Sequence, residues 1–288
     1  MSVSSSNSLN SIALEAIEMS DCIVTLGACL PADSALVHAA MKKADTNNDA
    51  YITYMHPIQE ESLQSIVNEF IHYEVGSEEG LLAMLAEHVV SQEGQQLFAD
   101  FFESLDMGYI SAESSVGEEE IERLYEKLHV AKQPILIVGS DVMNHERSMN
   151  IMKIASLIAK FSPMKVVTLA GTTEDESVSL VSQENAVNEI EEVDDLDAYD
   201  GSVVYRCNHK LTEEGNEFFL VGSKQFAIAA KIQGSAIVRF TMDNTEYERK
   251  FKVDDQLKGT IAFNPVFETE EKFDEYRYKQ VHLEVVDV

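Results

Sequence analysis

The run Ile135-Leu136-Ile137-Val138-Gly139 constrains this chain more than any other stretch of it. Four consecutive apolar residues, three of them β-branched, suit a strand buried on both faces, and the glycine follows where the chain must turn tightly. Ala131-Lys132-Gln133-Pro134 leads into the run and Ser140-Asp141 leads out of it. The period then changes: Met149, Met152, Ala155 and Ile158 recur at helical spacing beside Ile151, Ile154 and Leu157, which predicts a helix apolar around most of its girth and packed between layers. After Ser162-Pro163, Lys165-Val166-Val167-Thr168-Leu169-Ala170 predicts a second strand. Strand, helix and strand at this length make the crossover of a parallel sheet, so a doubly wound α/β region is expected.

An earlier stretch repeats the pattern. A short amphipathic helix, Ser11 to Glu18, feeds Cys22-Ile23-Val24-Thr25-Leu26-Gly27, and the loop Ala28 to Asp33 leads to a helix from Ser34 to Ala44, with Ser34 or Asp33 as its N-cap. Ala50 to Met55 returns as a strand that His56-Pro57 closes. Residues 1–172 are therefore expected to form two Rossmann-like parallel-sheet units, with Gly27 and Gly139 at equivalent strand ends. Gly76-Ser77-Glu78-Glu79-Gly80 opens a further helix to about Val90, Ser77 capping it and the two glutamates facing the positive end of its dipole, and the chain up to Asp106 reads as helical. Ser115-Val116-Gly117-Glu118 has capping-box spacing ahead of a charged amphipathic helix, Glu119 to Leu128.

From Gly171 to Asp200 acidic residues accumulate with no lysine or arginine among them, which predicts a linker or an irregular acidic flap, taken as an acidic linker over 173–200. Beyond it the period becomes two, as in Tyr276-Arg277-Tyr278-Lys279 and Val281-His282-Leu283-Glu284-Val285, with β-rich runs at Ala236 to Phe240, Tyr247 to Val253 and Thr260 to Phe263. Turn signals at Asp243-Asn244 and Lys258-Gly259 separate them. Residues 201–288 are expected to form a small β barrel or sandwich.

Composition narrows the partners. With 51 acidic against 21 basic residues the formal charge is −30, which repels nucleic-acid phosphate and anionic lipid and attracts a basic patch on another protein. The chain has no apolar run of about twenty residues and no secretory leader, and its three cysteines, Cys22, Cys29 and Cys207, are an odd number; a reducing cytoplasm and no direct membrane insertion are expected.

The residues that carry chemistry are few. Three dispersed cysteines cannot supply the four soft ligands of an iron-sulfur cluster or structural zinc, and the acidic run lacks the Asp/Gly spacing of a calcium loop, so no metal site is expected. His56 and His145 stand at element ends without a nucleophile or carboxylate fixed beside them in sequence, and read as surface or capping histidines. There is no nucleophile elbow, HExxH or P-loop, and no catalytic residue is assigned. Gly27, Gly139 and Ser140 remain as candidate cofactor-binding positions, because strand ends beside helix N-termini are where open α/β sheets hold phosphates. They would form a degenerate cleft.

Four stretches resemble one family. Ser20 to Gly27 with Pro31, Ala50 to Pro57, Gly76 to Ala86, and Ala131 to Ile158 are similar to the successive segments of molybdopterin oxidoreductases. Asp106 to Glu119, Lys258 to Ala262 and Tyr276 to Val281 resemble the C-terminal region of the G-type subunit of NADH-quinone oxidoreductase, respiratory complex I, in its epsilonproteobacterial form. The resemblance implies an accessory, structural part of the peripheral arm of complex I, in contact with other peripheral-arm subunits, cytoplasmic and peripheral on the inner face of the inner membrane through the complex. Where a pterin-binding relative would carry Asn-Pro-Arg and Asp-Pro-Arg, this chain has Cys29-Leu30-Pro31 and His56-Pro57-Ile58. The groups suited to phosphate and guanine are missing, so no cofactor and no redox centre of its own are expected. The alternative is a soluble molybdopterin- or nucleotide-binding oxidoreductase domain. The approach to the strand at Ile135 also resembles the central domain of thiamine-diphosphate enzymes, whose cofactor signature is not present.

Overall fold

The fold is that of a computed structural model, which describes residues 3–30, 32–170, 177–184, 187, 189–208, 218–267 and 275–287. The described residues divide into two compact units, one running through Asp197 and one from Ala198.

In the first unit the elements in chain order are α1 (Val3–Glu18), β1 (Cys22–Leu26), α2 (Ala35–Asn48), β2 (Tyr51–Met55), β3 (Glu69–Ile71), α3 (Glu78–Val89), α4 (Gln92–Leu97), α5 (Ala99–Ser104), α6 (Met107–Ser114), α7 (Glu118–Val130), β4 (Pro134–Val138), α8 (Ser140–Met143), α9 (Ser148–Phe161), β5 (Lys165–Ala170) and β6 (Ser177–Leu180). The strands form one six-stranded sheet in the order β3-β2-β1-β4-β5-β6, parallel except for β6. The two Rossmann-like units expected from the sequence are halves of this single sheet. β1 pairs directly with β4 over its whole length, Cys22 opposite Pro134 and Leu26 opposite Val138, because both strands are largely apolar, buried throughout, and neither can serve as a wet edge. The Asp21 carboxylate fixes this register by accepting the Lys132 and Gln133 N–H groups, each at 2.9 Å at its shorter contact.

Alternation along the strands explains why the apolar runs are continuous. Cys22, Val24, Leu26, Leu136 and Val138 face one core with α3, α7 and α9, while Ile23, Ile135 and Ile137 face a second core with α1 and α2. Helices cover both faces, as a parallel sheet requires. On α9, Ile151, Ile154, Leu157 and Ile158 are buried as their spacing predicts, but Met149 is 76% exposed, so the helix is not enclosed along its whole length.

Two caps differ from expectation. The Ser77 hydroxyl donates to the Glu74 carbonyl oxygen and leaves the start of α3 without a side-chain cap. At α7 the capping glutamate is Glu120, which accepts the Gly117 N–H at 2.9 Å, two residues beyond the box expected at Ser115 to Glu118. Ser34 does cap α2, accepting the Val37 N–H at 3.1 Å. Within the expected linker, Ser177–Leu180 is the antiparallel edge strand β6 with Val178 buried, and residues 189–197, without regular secondary structure, belong to the first unit with Ile190 and Leu196 buried. Charge density concealed those contacts, since the apolar anchors are single residues between carboxylates. Residues 171–176 lie outside the described residues.

The second unit contains β7 (Ser202–Asn208), β8 (Phe219–Gly222), α10 (Lys224–Ala229), β9 (Ile237–Met242), β10 (Thr245–Val253), β11 (Ile261–Phe267), β12 (Tyr278–Val281) and β13 (Glu284–Asp287). They form one seven-stranded mixed sheet in the order β12-β7-β11-β8-β10-β9-β13. β12 and β13 lie at opposite edges, yet only His282 and Leu283 join them, a span of at most about 11 Å. The edges must approach each other, so the sheet curls into a half-barrel around Val204, Leu220, Phe226, Val238, Phe240 and Phe251. Of the two forms expected, barrel or sandwich, the described residues take the curled single sheet. No helix among the described residues is long and apolar enough to cross a membrane.

Candidate functional site

In a sheet of order β3-β2-β1-β4-β5 the chain leaves β1 toward one edge and β4 toward the other, so a crevice is expected beyond the carboxyl ends of β1 and β4. Gly27 and Gly139 are the residues there. The structure brings them into backbone contact: a Cβ on Gly139 would lie 2.0 Å from the Gly27 carbonyl oxygen and 2.3 Å from the Ala28 nitrogen. The turns are stitched by hydrogen bonds from Gly139 N–H to the Leu26 oxygen at 2.8 Å and from Asp141 N–H to the Gly27 oxygen at 3.1 Å. Gly27 has φ +63°, the left-handed region that favours glycine, and a Cβ there would meet the Val142 methyl at 2.6 Å and the Tyr73 hydroxyl at 3.4 Å.

Gly27, Gly139 and Ser140 are thus together, and all three are buried. Ser140 donates from its hydroxyl to Asp33 Oδ2 at 2.6 Å, the same oxygen that accepts the Cys29 N–H at 2.7 Å. The position that would orient a phosphate is occupied by a carboxylate of the chain itself.

Behind the turns lies an array of buried ionisable groups that sequence reading did not assemble. His56 and His145 are not surface histidines; both are buried, His56 Nε2 at 3.4 Å from Asp141 Oδ2 and His145 Nε2 at 3.7 Å from Glu78 Oε2. Tyr73 donates to Glu78 Oε1 at 3.3 Å, and burial, reinforced by Glu78 and Asp141, holds its hydroxyl well above its ordinary value. Tyr54, raised in the same way by burial, donates to the Ala28 carbonyl oxygen at 2.5 Å. Glu78 and Glu79, expected only to face the dipole of α3, are fully buried; Glu79 receives Arg147 at 3.1 Å and Asn150 at 2.7 Å. The signal available in the sequence was two glutamates heading an otherwise apolar helix, a placement that requires buried partners.

At the two turns the Gly139, Asp141 and Cys29 N–H groups are spent on Leu26, Gly27 and Asp33, Val142 and Tyr73 stand against Gly27, and Asp33 accepts the Ser140 hydroxyl, whereas the diphosphate of a pterin dinucleotide would need such donors free and cations beside them.

The thiols are equally withdrawn. Cys22 is pushed up to about 12 by burial and by Asp21, and Cys207 is raised by burial alone, so neither is a nucleophile at neutral pH. No group of three or more potential metal ligands occurs among the described residues.

Fold and site together define an open α/β sheet with a closed switch point, in a chain that continues into a curled β unit. No family profile matches the sequence, and no curated protein does. Among solved structures the chain is similar to acetylene hydratase from Pelobacter acetylenicus, with a TM-score of 0.40 and 9% identity over 59% of this chain and 26% of that one. The chain thus spans about a quarter of that protein's length, and no residue role is carried across.

Proposed function

We propose that this chain is an accessory, structural module of a larger redox assembly, in the manner of the G-type subunit of NADH-quinone oxidoreductase that its sequence resembles, and that it has no redox centre of its own. One observation carries the reading: the place where such a sheet would hold a cofactor is filled by the chain's own backbone and side chains, Gly139 against Gly27, with Asp33 on Ser140. A formal charge of −30 suits a piece that docks basic neighbours in the cytoplasm, peripheral to the inner face of a membrane.

The second reading is a soluble molybdopterin- or nucleotide-binding oxidoreductase domain. It is favoured by the buried Tyr73, Glu78, His145, His56 and Asp141, since such arrays concentrate at working sites. Isolation of the endogenous protein under native conditions, followed by mass spectrometry of both the intact assembly and its extracted small molecules, separates the two. Co-purification with respiratory subunits and no stoichiometric pterin or nucleotide is expected. A free monomer carrying one equivalent of either would overturn the structural reading.

A further inference from the structure

The crossover from β2 to β3 leaves a pocket at the edge of the first unit's sheet. A parallel pair is joined by about a dozen residues or more, usually a helix that covers the strands, but residues 56–68 supply only a single 3₁₀ turn, Glu61–Leu63. Between this connection and the two strands lies a pocket of about 300 Å³, lined by Tyr54, Gln59, Glu60, Gln64, Asn68 and Phe70 together with the apolar Leu63 and Val67.

The lining divides by chemistry. Tyr54 and Phe70 are direct cross-strand partners with near-parallel rings, 5.8 Å between centroids and 22° between planes, and Phe70, on the edge strand, is only partly buried. The Tyr54 hydroxyl is spent on the Ala28 carbonyl oxygen, so this wall presents ring carbon alone. The polar lining is rich in acceptors. Glu60 is the one charged residue in it; its Oε1 accepts the Ser62 N–H at 3.2 Å, and among the described residues it makes no ion pair. After burial and Cys29, Glu60 acts to raise the Tyr54 hydroxyl, which places its carboxylate within electrostatic reach of the rings. The Gln59 and Gln64 amides make no hydrogen bond among the described residues, and Asn68 has committed its oxygen to the Ile52 N–H at 2.7 Å.

These groups select a ligand. An anion would meet a carboxylate and no cation, in a chain whose formal charge is already −30, and an apolar group would strand Glu60 and the amides. An ammonium is a strongly hydrated point charge that does not stack. A guanidinium stacks on an aromatic face, donates parallel N–H bonds to a carboxylate and keeps further N–H groups for amide oxygens. We propose that this pocket receives the guanidinium of an arginine side chain projecting from a partner protein, stacked on Phe70, with Glu60 as its counter-charge and Gln59 and Gln64 as acceptors. The arginine stem lies along Leu63 and Val67. The inference rests on the reading of this chain as a docking piece and names the group that is docked: the acidic surface draws a basic partner, and the pocket distinguishes arginine from lysine.

An NMR titration of the isotope-labelled full chain tests it, read at the side-chain amide signals of Gln59, Gln64 and Asn68. The probes are a capped Gly-Gly-Arg-Gly-Gly peptide, the same peptide with lysine or with citrulline at its centre, and agmatine; citrulline keeps the plane of the group and loses its charge. The arginine peptide is expected to shift these signals saturably, and the lysine and citrulline peptides to bind about tenfold more weakly. Glu60→Gln, which retains an acceptor for the Ser62 N–H, is expected to weaken the arginine peptide about tenfold and to leave the citrulline peptide unchanged, while Phe70→Leu weakens both. Equal binding of the arginine and lysine peptides, or an unchanged arginine affinity in Glu60→Gln, would show general attraction to an acidic surface and refute the pocket, as would the lack of any saturable shift. Binding of agmatine with exclusion of the arginine peptide would assign the pocket to a free small molecule and refute docking. The titration reads the pocket itself, so its failure leaves the accessory reading standing, and a bound pterin or nucleotide overturns that reading whatever these signals do.

Discussion

Gly139→Ala is the perturbation that most directly probes the closed switch point. Gly139 has φ −81°, so alanine meets no backbone strain of its own and would gain a few tenths of a kcal/mol from a stiffer unfolded chain. Against this stands contact with atoms that cannot rotate away: the new Cβ would lie 2.0 Å from the Gly27 carbonyl oxygen, 2.2 Å from its carbon and 2.3 Å from the Ala28 nitrogen. Relief requires the two central turns to separate by more than an ångström, which places the substitution at the upper end of overpacking costs, about 3 kcal/mol. Separation also lengthens the Gly139 to Leu26 and Asp141 to Gly27 hydrogen bonds, each worth about 1 kcal/mol. The net loss is about 4 kcal/mol, or a fall of roughly 8 to 16 °C in Tm for a unit of this size. Calorimetry of the full chain and its variant, with urea unfolding at 25 °C as a check, reads this directly. A drop below about 2 °C would mean that the turns stand apart in solution, as a crevice holding a ligand requires, and would refute the closed switch point together with the structural role built on it.

Three further outcomes follow from the same contacts. Tyr73→Phe removes a donor from the buried Glu78 carboxylate without changing the ring's volume, and should lower stability by about 1 to 3 kcal/mol in urea titrations; an unchanged or raised midpoint would show that Glu78 does not use that hydroxyl. The Glu191 carboxyl is held below its ordinary value of 4.5, first by the Lys153 hydrogen bond and charge and then by Arg147, so its contribution is present above that value and lost as pH falls through the lower, folded one. Amide protection at Leu196, corrected for intrinsic exchange, should therefore decline below about pH 4.5 in the wild type and show no such step in Glu191→Gln; matching profiles would contradict the assignment. Cys22, Cys29 and Cys207 are all buried, and Cys22 and Cys207 are raised besides, so a disulfide-exchange reagent at pH 8 should label none of the folded chain and three thiols per chain in denaturant; rapid labelling of the native protein would contradict the packing of β1 and β7.

The residues along the chain by themselves determined the strands of the central sheet and the helices that cover it. Ile135 to Val138 is apolar without alternation, and Cys22 to Leu26 is so but for Thr25, which burial on both faces accommodates, and the 3.6-residue spacing from Ile151 to Ile158 has one meaning beside such a strand. What the tertiary structure decided is every relation between distant residues. That β1 and β4 are neighbours, so that the two expected units are one sheet, depends on hydrogen bonds across 112 positions of sequence, and no local pattern encodes a partner. The edge strands β3 and β6 were missed because a three-residue strand and a strand beside carboxylates carry too little periodicity to register. The same holds for His56 with Asp141 and His145 with Glu78: each residue taken singly reads as an ordinary end of an element, and its burial beside a carboxylate 85 or 67 residues away is set only by the packed fold. Gly27 and Gly139 show the division most plainly. Each marks a tight turn in the sequence, but whether two such turns enclose a ligand or press on each other depends on the distance between them, which only the packed sheet sets.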